Sequence, residues 1–151
     1  GGHPMAAGLS LPTENIDLFR AKLNRQQTLT EKELTPVTWI DVPMPVSYAS
    51  KKLVEQLRVL EPFGKGNEKP VFADRKLTVR SANMIGKNKN VLKMQLEDTQ
   101  GHVVDAIQFK VEEEDMPLRG KEISIVYYPD INEFRGNQTL QFIVQEWCYT
   151  T

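Results

Sequence analysis

The sequence predicts an α+β chain: a first part in which helix and strand alternate, followed by a small, partly open barrel of five strands. Three observations carry that expectation. Apolar residues recur at spacings of three and four before residue 60, and from Val71 onward they alternate with polar ones. Between the two patterns lies Glu61–Pro70, with two prolines and two glycines. The expected division is therefore 1–60, a linker at 61–70, and a barrel at 71–151.

In order along the chain, Gly1-Gly2-His3-Pro4-Met5-Ala6-Ala7-Gly8 does not start with Met and reads as the middle of a motif, so the chain is expected to be a fragment. Leu9–Leu11 is expected as a short strand. A helix follows with Thr13 as N-cap and Ile16, Phe19 and Leu23 on one stripe. It should fade in the polar stretch 24–32. Val37–Val42, rich in β-branched residues, reads as a strand closed by Pro43 and Pro45. Leu53, Leu57 and Leu60 predict a second helix from about Ser47 to Val59.

In the barrel, Leu77, Val79 and Ser81 alternate with charged or polar neighbours, and Gly86–Asn90 is a basic turn. Strands 91–96 and 102–109 flank a turn at 97–101, an acidic run Glu112–Asp115 interrupts the sheet, and strand pattern resumes at 122–128. A loop over 130–137 precedes the last strand through Leu140, Phe142 and Val144. Five strands with a longer insertion between the third and fourth match the OB type; a β-sandwich usually has seven or more.

Composition narrows the function classes. The 151 residues carry 19 Lys and Arg against 20 Asp and Glu, a formal charge of -1, so any polyanion contact must rest on local clusters. No apolar run approaches the roughly 20 residues that span a bilayer, and no secretory signal is visible. One cysteine, Cys148, cannot form an internal disulfide, and the simplest location is the cytoplasm. His3 and His102 are far apart, with no cluster at metal-ligand spacing, so no catalytic or metal-binding residue is expected in this chain.

Two regions could meet nucleic acid. At the start, two glycines allow close backbone approach, a short helix beginning at Pro4–Ala7 would point amides at an anion, and His3 could add a donor. By spacing alone, a plain turn or tag remnant is the stronger reading of Gly1-Gly2-His3. In the barrel, Arg75, Lys76, Arg80, Lys87, Lys89 and Lys93 form a run of six positive charges, with Asp74 the nearest acid just before them. Phe134 and Arg135, between the last two strands, offer a ring and a guanidinium for base stacking. Phe109, Tyr127 and Tyr128 are further candidates, although aromatics in strands are more often core. The linker 61–70 is glycine-rich with lysines but lacks a P-loop pattern; a hinge with Phe63 plugging a core is favoured over phosphate contact. Glu112–Asp115 reads as a solvated turn.

Gly-Gly-His-Pro-Met-Ala-Ala-Gly-Leu-Ser-Leu, a helix over Asn15 to Arg25, and Leu60-Glu61-Pro62-Phe63-Gly64-Lys65-Gly66-Asn67 ahead of a five-stranded barrel together resemble the RecJ family of DHH phosphoesterases. Glu68 stands where the family pattern suggests proline. The resemblance implies that 1–60 is the C-terminal part of a DHH-associated domain, α/β in kind, and that 71–151 is an OB-fold. It implies a parent enzyme that degrades single-stranded DNA 5′ to 3′ in recombination and repair, using two Mn2+ or Mg2+ ions held upstream of Gly1, with none bound by this fragment and no activity in it alone. Gly1, Gly2 and His3 would contact substrate phosphate, and single-stranded DNA would be the barrel's partner. A single-strand-binding protein or a helicase is a further partner within this picture. Two alternatives stay open: a DHH-type phosphodiesterase of small nucleotides, and a non-catalytic OB module that recruits a protein.

Overall fold

The computed structural model describes residues 2–3 and 5–150, which fall into two compact units, one ending at Thr38 and the other beginning at Trp39.

In the first unit, β1 (Gly2–His3) and β2 (Ala6–Ala7) pair antiparallel, Gly2 opposite Ala7. Of the helix start expected at Pro4–Ala7, Pro4 lies outside the described residues and Ala6–Ala7 is corrected to a strand, with the Met5 amide donating to His3 Nδ1 at 3.1 Å. Leu9–Leu11 forms no strand. Thr13 is not the cap of α1 (Ile16–Gln26), because a 3-10 turn over Thr13–Asn15 leads into the helix with no side-chain cap. The side-chain cap belongs instead to α2 (Glu31–Leu34). There Thr30 Oγ1 accepts from the Glu33 amide, while the Glu33 carboxylate accepts from the Thr30 amide at 2.8 Å.

The second unit is built on a ring of strands. Of the strand expected over Val37–Val42, only β3 (Val42–Pro43) forms, including the proline expected to end it. It lies at the sheet's edge, where a missing N–H costs no ladder bond. The helix expected over 47–59 is in fact a 3-10 turn at Val46–Tyr48, then α3 (Lys51–Leu57), then a 3-10 turn at Arg58–Leu60. Ser50 Oγ accepts from the Leu53 amide and starts α3.

The remaining strands are β4 (Phe72–Ile85), β5 (Val91–Glu97), β6 (Val103–Phe109), β7 (Glu122–Phe134) and β8 (Asn137–Tyr149). Their order β4-β5-β6-β8-β7, with β4 also paired to β7, closes the ring. The five expected strands form, as in an OB-type fold, with β6 and β8 parallel through Ala106↔Phe142 and Ile107↔Ile143. Inside it, Leu77, Val79, Leu92, Met94, Leu96, Ile123 and Tyr127 are fully buried.

Composition changes at 61–70, where the sequence places a linker, and the compact unit that holds the barrel also takes in the residues from Trp39 onward. The Met44 amide donates to Ala73 O at 2.9 Å, the Val46 amide donates to Asp74 Oδ2 at 2.7 Å, and both side chains are buried in the barrel core. The stretch 61–70 is then a strap on one body. Asn67 Nδ2 donates to the carbonyls of Leu60 and Pro62 at 2.8 and 2.9 Å. Phe63 is half-buried in a small groove with Val54, Leu57 and Tyr128, outside the main core.

Tyr127 ties this entry segment to the core: its hydroxyl donates to Met44 O at 2.9 Å. Burial first, and then the Asp74 carboxylate, push its phenol above the ordinary range, so it remains a neutral donor. Tyr127→Phe orphans a buried carbonyl and should cost about 1–2 kcal/mol in a urea titration. A midpoint equal to that of the parent would show that the bond contributes nothing.

The interruption at Glu112–Asp115 is an exposed segment with a 3-10 turn over Glu113–Asp115, in keeping with a solvated turn. The largest departure from expectation concerns 130–137. It is no loop: β7 continues to Phe134 and β8 begins at Asn137. Arg135 and Gly136, with φ of 51° and 78°, form a two-residue turn with both central residues left-handed.

Candidate nucleic-acid interface

The outward surface of β4-β5-β6 follows from a bulge. In the pairing of β4 with β5 the register shifts between Val79 and Ser81. Before it, Leu77 and Val79 point inward; after it, Ala82 and Met84 pack against the core and Ser81, Asn83 and Ile85 take the outer face. Ser81, expected on the same face as Leu77 and Val79, is therefore reversed. In β5, Leu92, Met94 and Leu96 are buried while Lys93 and Gln95 are exposed.

Directly opposed residues share a face, so cross-strand register orders this surface into rows. Ile85, Val91 and Phe109 form an apolar row, with Phe109 54% and Ile85 38% exposed. Asn83, Lys93 and Ile107 form the next, and Ser81, Gln95 and Asp105 the one after. The turn Gly86–Asn90, carrying Lys87 and Lys89, borders the apolar row. Its geometry comes from left-handed Gly86 and Lys89, with the Lys89 amide donating to Gly86 O at 3.2 Å. Three lysines thus stand beside an exposed ring and two aliphatic side chains.

Of the six basic residues expected to form one patch, only Lys87, Lys89 and Lys93 share this region. Arg80 Nε is 3.0 Å from Glu97 Oε2, so its charge is locally balanced. Lys76 is left-handed, at φ 60°, in the irregular step between Asp74 and Leu77 where β4 meets β7. Arg75 lines a different groove with Ile40, Ser124, Trp147 and Tyr149. From Arg75 to Lys87 the chain runs along β4 for on the order of 30 Å. A continuous run in sequence is split because a strand carries its residues away from one another and a bulge turns them.

At the far end of the face, β5 and β6 are joined by a turn held by Asp98. Its carboxylate accepts from the amides of Gln100 and His102 at 2.8 and 2.9 Å and lies 3.0 Å from His102 Nδ1. Burial works against ionisation there, but these hydrogen bonds outweigh it and hold the carboxyl below its usual range. With Asp105 opposite Gln95 in the pairing, this end carries carboxylates, whereas Lys87 and Lys89 stand at the other, on Gly86–Asn90.

Phe134 and Arg135 sit at the tip of the β7–β8 hairpin. The parallel register Ile107↔Ile143 carries Asn137, six residues before Ile143, beyond Val103, four before Ile107. The tip therefore projects past the end of the face opposite Lys87 and Lys89. Phe134 is 65% exposed, and the Arg135 guanidinium carbon lies 5.1 Å from its ring centroid. Tyr127 leaves the set of stacking candidates because it is fully buried. Tyr128 leaves it because Lys69 Nζ sits 4.1 Å over its ring. Ile85 and Val91 were not foreseen; the bulge that turns Ile85 outward has no signal in the alternation of the sequence.

Gly2 and His3 are exposed in the hairpin of the first unit, and Gly1 lies outside the described residues. Among the described residues no three His, Cys, Asp or Glu side chains come together as a metal ligand set. No helix among them is long and apolar enough to cross a membrane.

The family model for the RecJ OB domain matches residues 40–146. The single-stranded-DNA-specific exonuclease RecJ of Haemophilus influenzae is 37% identical over 148 residues, which is 95% of this chain and 26% of the relative. Its namesake from Bacillus subtilis is 32% identical over 97% of this chain and 19% of its own length. The crystal structure of Thermus thermophilus RecJ in complex with Mn2+ superposes on the whole chain with a TM-score of 0.69 at 19% identity, covering 22% of that protein, and so shares the fold. The chain thus spans about a fifth to a quarter of the relatives it matches. With the strand order, the matched span and these relatives in agreement, the chain belongs to the RecJ OB domain family.

Proposed function

We propose that this chain is the strand-binding part of a single-stranded-DNA exonuclease whose catalytic metal site, for Mn2+ or Mg2+, lies in residues outside it. The observation that carries the proposal is the outer face of β5 and β6, where Lys87, Lys89 and Lys93 flank the exposed row Ile85–Val91–Phe109. Lysines can neutralise phosphates without reading sequence, while an exposed ring takes up any base by its π-face. Unstacked bases are available in a single strand and hidden in a duplex, so this combination selects single strands. Strands of seven residues make the face about 23 Å long, enough for several nucleotides. Residues 1–38 would belong to the DHH-associated domain, with Gly1, Gly2 and His3 near the substrate phosphate only when the upstream residues are present.

Titration of a labelled oligothymidylate tests the reading. Binding is expected at low salt, with log K falling linearly against log salt by about 0.7 per phosphate contacted, and a duplex is expected to compete poorly. With Mn2+ added, the oligonucleotide should remain intact. Absence of binding at low salt, or equal competition by duplex, would remove the proposed role; degradation by the purified chain would place catalysis within it.

A further inference from the structure

The β7–β8 hairpin outgrows the barrel. Pairing of β7 with β4 ends at Tyr127↔Phe72, and pairing of β8 with β6 begins at Phe142↔Ala106. From Tyr128 to Phe134 and from Asn137 to Gln141 the two strands are paired with each other and, among the described residues, with no third strand. A two-stranded ribbon is marginal in water and free to swing about its base. This one has a brace. Lys51, first residue of α3, donates from Nζ to the Gln138 carbonyl at 2.6 Å, one residue beyond the turn strand's start at Asn137. Gln138 Nε2 in turn donates to Glu133 Oε2 across the hairpin at 3.2 Å. The helix itself is anchored: Val54 is buried, and Val54 and Leu57 line a small groove with Pro129 and Asp130 at the arm's base.

We propose that Lys51 is a positioning residue, holding the hairpin so that Phe134 and Arg135 at its tip meet a strand lying on the β5–β6 face. The idea rests on the proposed strand-binding role and adds to it a specific mechanical link. Lys51 bonds to a backbone carbonyl three residues from Arg135, so the contact sets the arm's angle whatever side chains the tip carries. An ammonium is suited to this, because its charge strengthens the bond to the carbonyl and any of its three rotatable N–H groups can make it.

The test is a double-mutant cycle on oligothymidylate affinity, with Lys51→Met, which keeps the apolar stem, and Phe134→Ala with Arg135→Ala. Lys51→Met is expected to lower affinity about three- to tenfold in the parent background and to have no further effect once the tip is truncated. Lys51→Arg should recover most of the loss. An equal loss in both backgrounds would show Lys51 acting on its own, as a phosphate contact, and would overturn the proposal, as would no loss at all or a tip truncation without effect. Hydrogen exchange of the arm amides separates this idea from the strand-binding role. Faster exchange in Lys51→Met supports the brace even if no oligonucleotide binds, and unchanged exchange rejects it.

Discussion

Replacing Lys87 and Lys89 by alanine is expected to lower single-stranded DNA affinity roughly tenfold at about 50 mM salt, uniformly across sequences, and to reduce the salt slope by about 1.4, two phosphate contacts at 0.7 each. Both lysines are exposed on the Gly86–Asn90 turn, and neither has an ion-pair partner among those found in the described residues. The fold should be untouched, since lysine and alanine find the left-handed conformation at position 89 similarly unfavourable and the turn's bond is made by backbone. The comparison that gives the experiment its force is Arg75→Ala with Lys76→Ala. Those residues belong to the same charge run in sequence but lie where β4 meets β7, and their loss should leave the slope nearly unchanged. Equal effects from the two pairs would mean that the strand does not follow the β5–β6 face.

Phe142→Ala is expected to remove a large share of the stability of the 39–150 unit. The ring is 1% exposed and its centroid lies 5.3 Å from that of Tyr127. Truncating a buried phenylalanine typically costs about 3–5 kcal/mol. A domain of this size has only about 5–15 kcal/mol to lose. Position adds to volume: Phe142 and Ile143 make the two pairings that join β8 to β6, so the cavity opens where the ring of strands closes. In urea the unfolding midpoint should fall by more than for any outward-facing substitution, with Phe142→Leu intermediate. A midpoint within about 0.5 kcal/mol of the parent would mean that the seam is held by backbone alone.

How much of this was legible beforehand differs between the barrel and the rest. The alternation at 91–96 and 102–109 placed β5 and β6 within a residue, because a half-buried strand must present apolar side chains at every second position. The same logic failed for 130–137. Asn, Asp and Gly suggested a loop, yet cross-strand pairs from Asp130↔Gln141 to Phe134↔Asn137 continue the ladder to a two-residue turn. Polar residues are compatible with either state where a hairpin leaves the core. At the start, helix-stripe residues Ile16, Phe19 and Leu23 did form α1, but Thr13 lost the cap to a 3-10 turn, a matter of local backbone geometry that residue type alone leaves open.

The candidate site was legible as charge and not as place. Lys87, Lys89 and Lys93 could be singled out with Arg75, Lys76 and Arg80 because a sequence displays charges in a line. The fold sorts that line by direction: a bulge at Val79/Ser81 turns Asn83 and Ile85 outward, Glu97 takes up Arg80, and the β4–β7 irregularity carries Arg75 and Lys76 elsewhere. What the amino-acid order by itself determined was the five strands of the barrel, the two elements at the centre of the face and the family likeness, all of which rest on local periodicity and short motifs. Tertiary structure alone decided which three lysines share a surface with Phe109, why Tyr127 and Tyr128 are unavailable for stacking, and that 39–60 packs with the barrel. Those depend on contacts between residues far apart in the chain, such as Tyr127 with Met44 and Lys51 with Gln138, which no local pattern encodes.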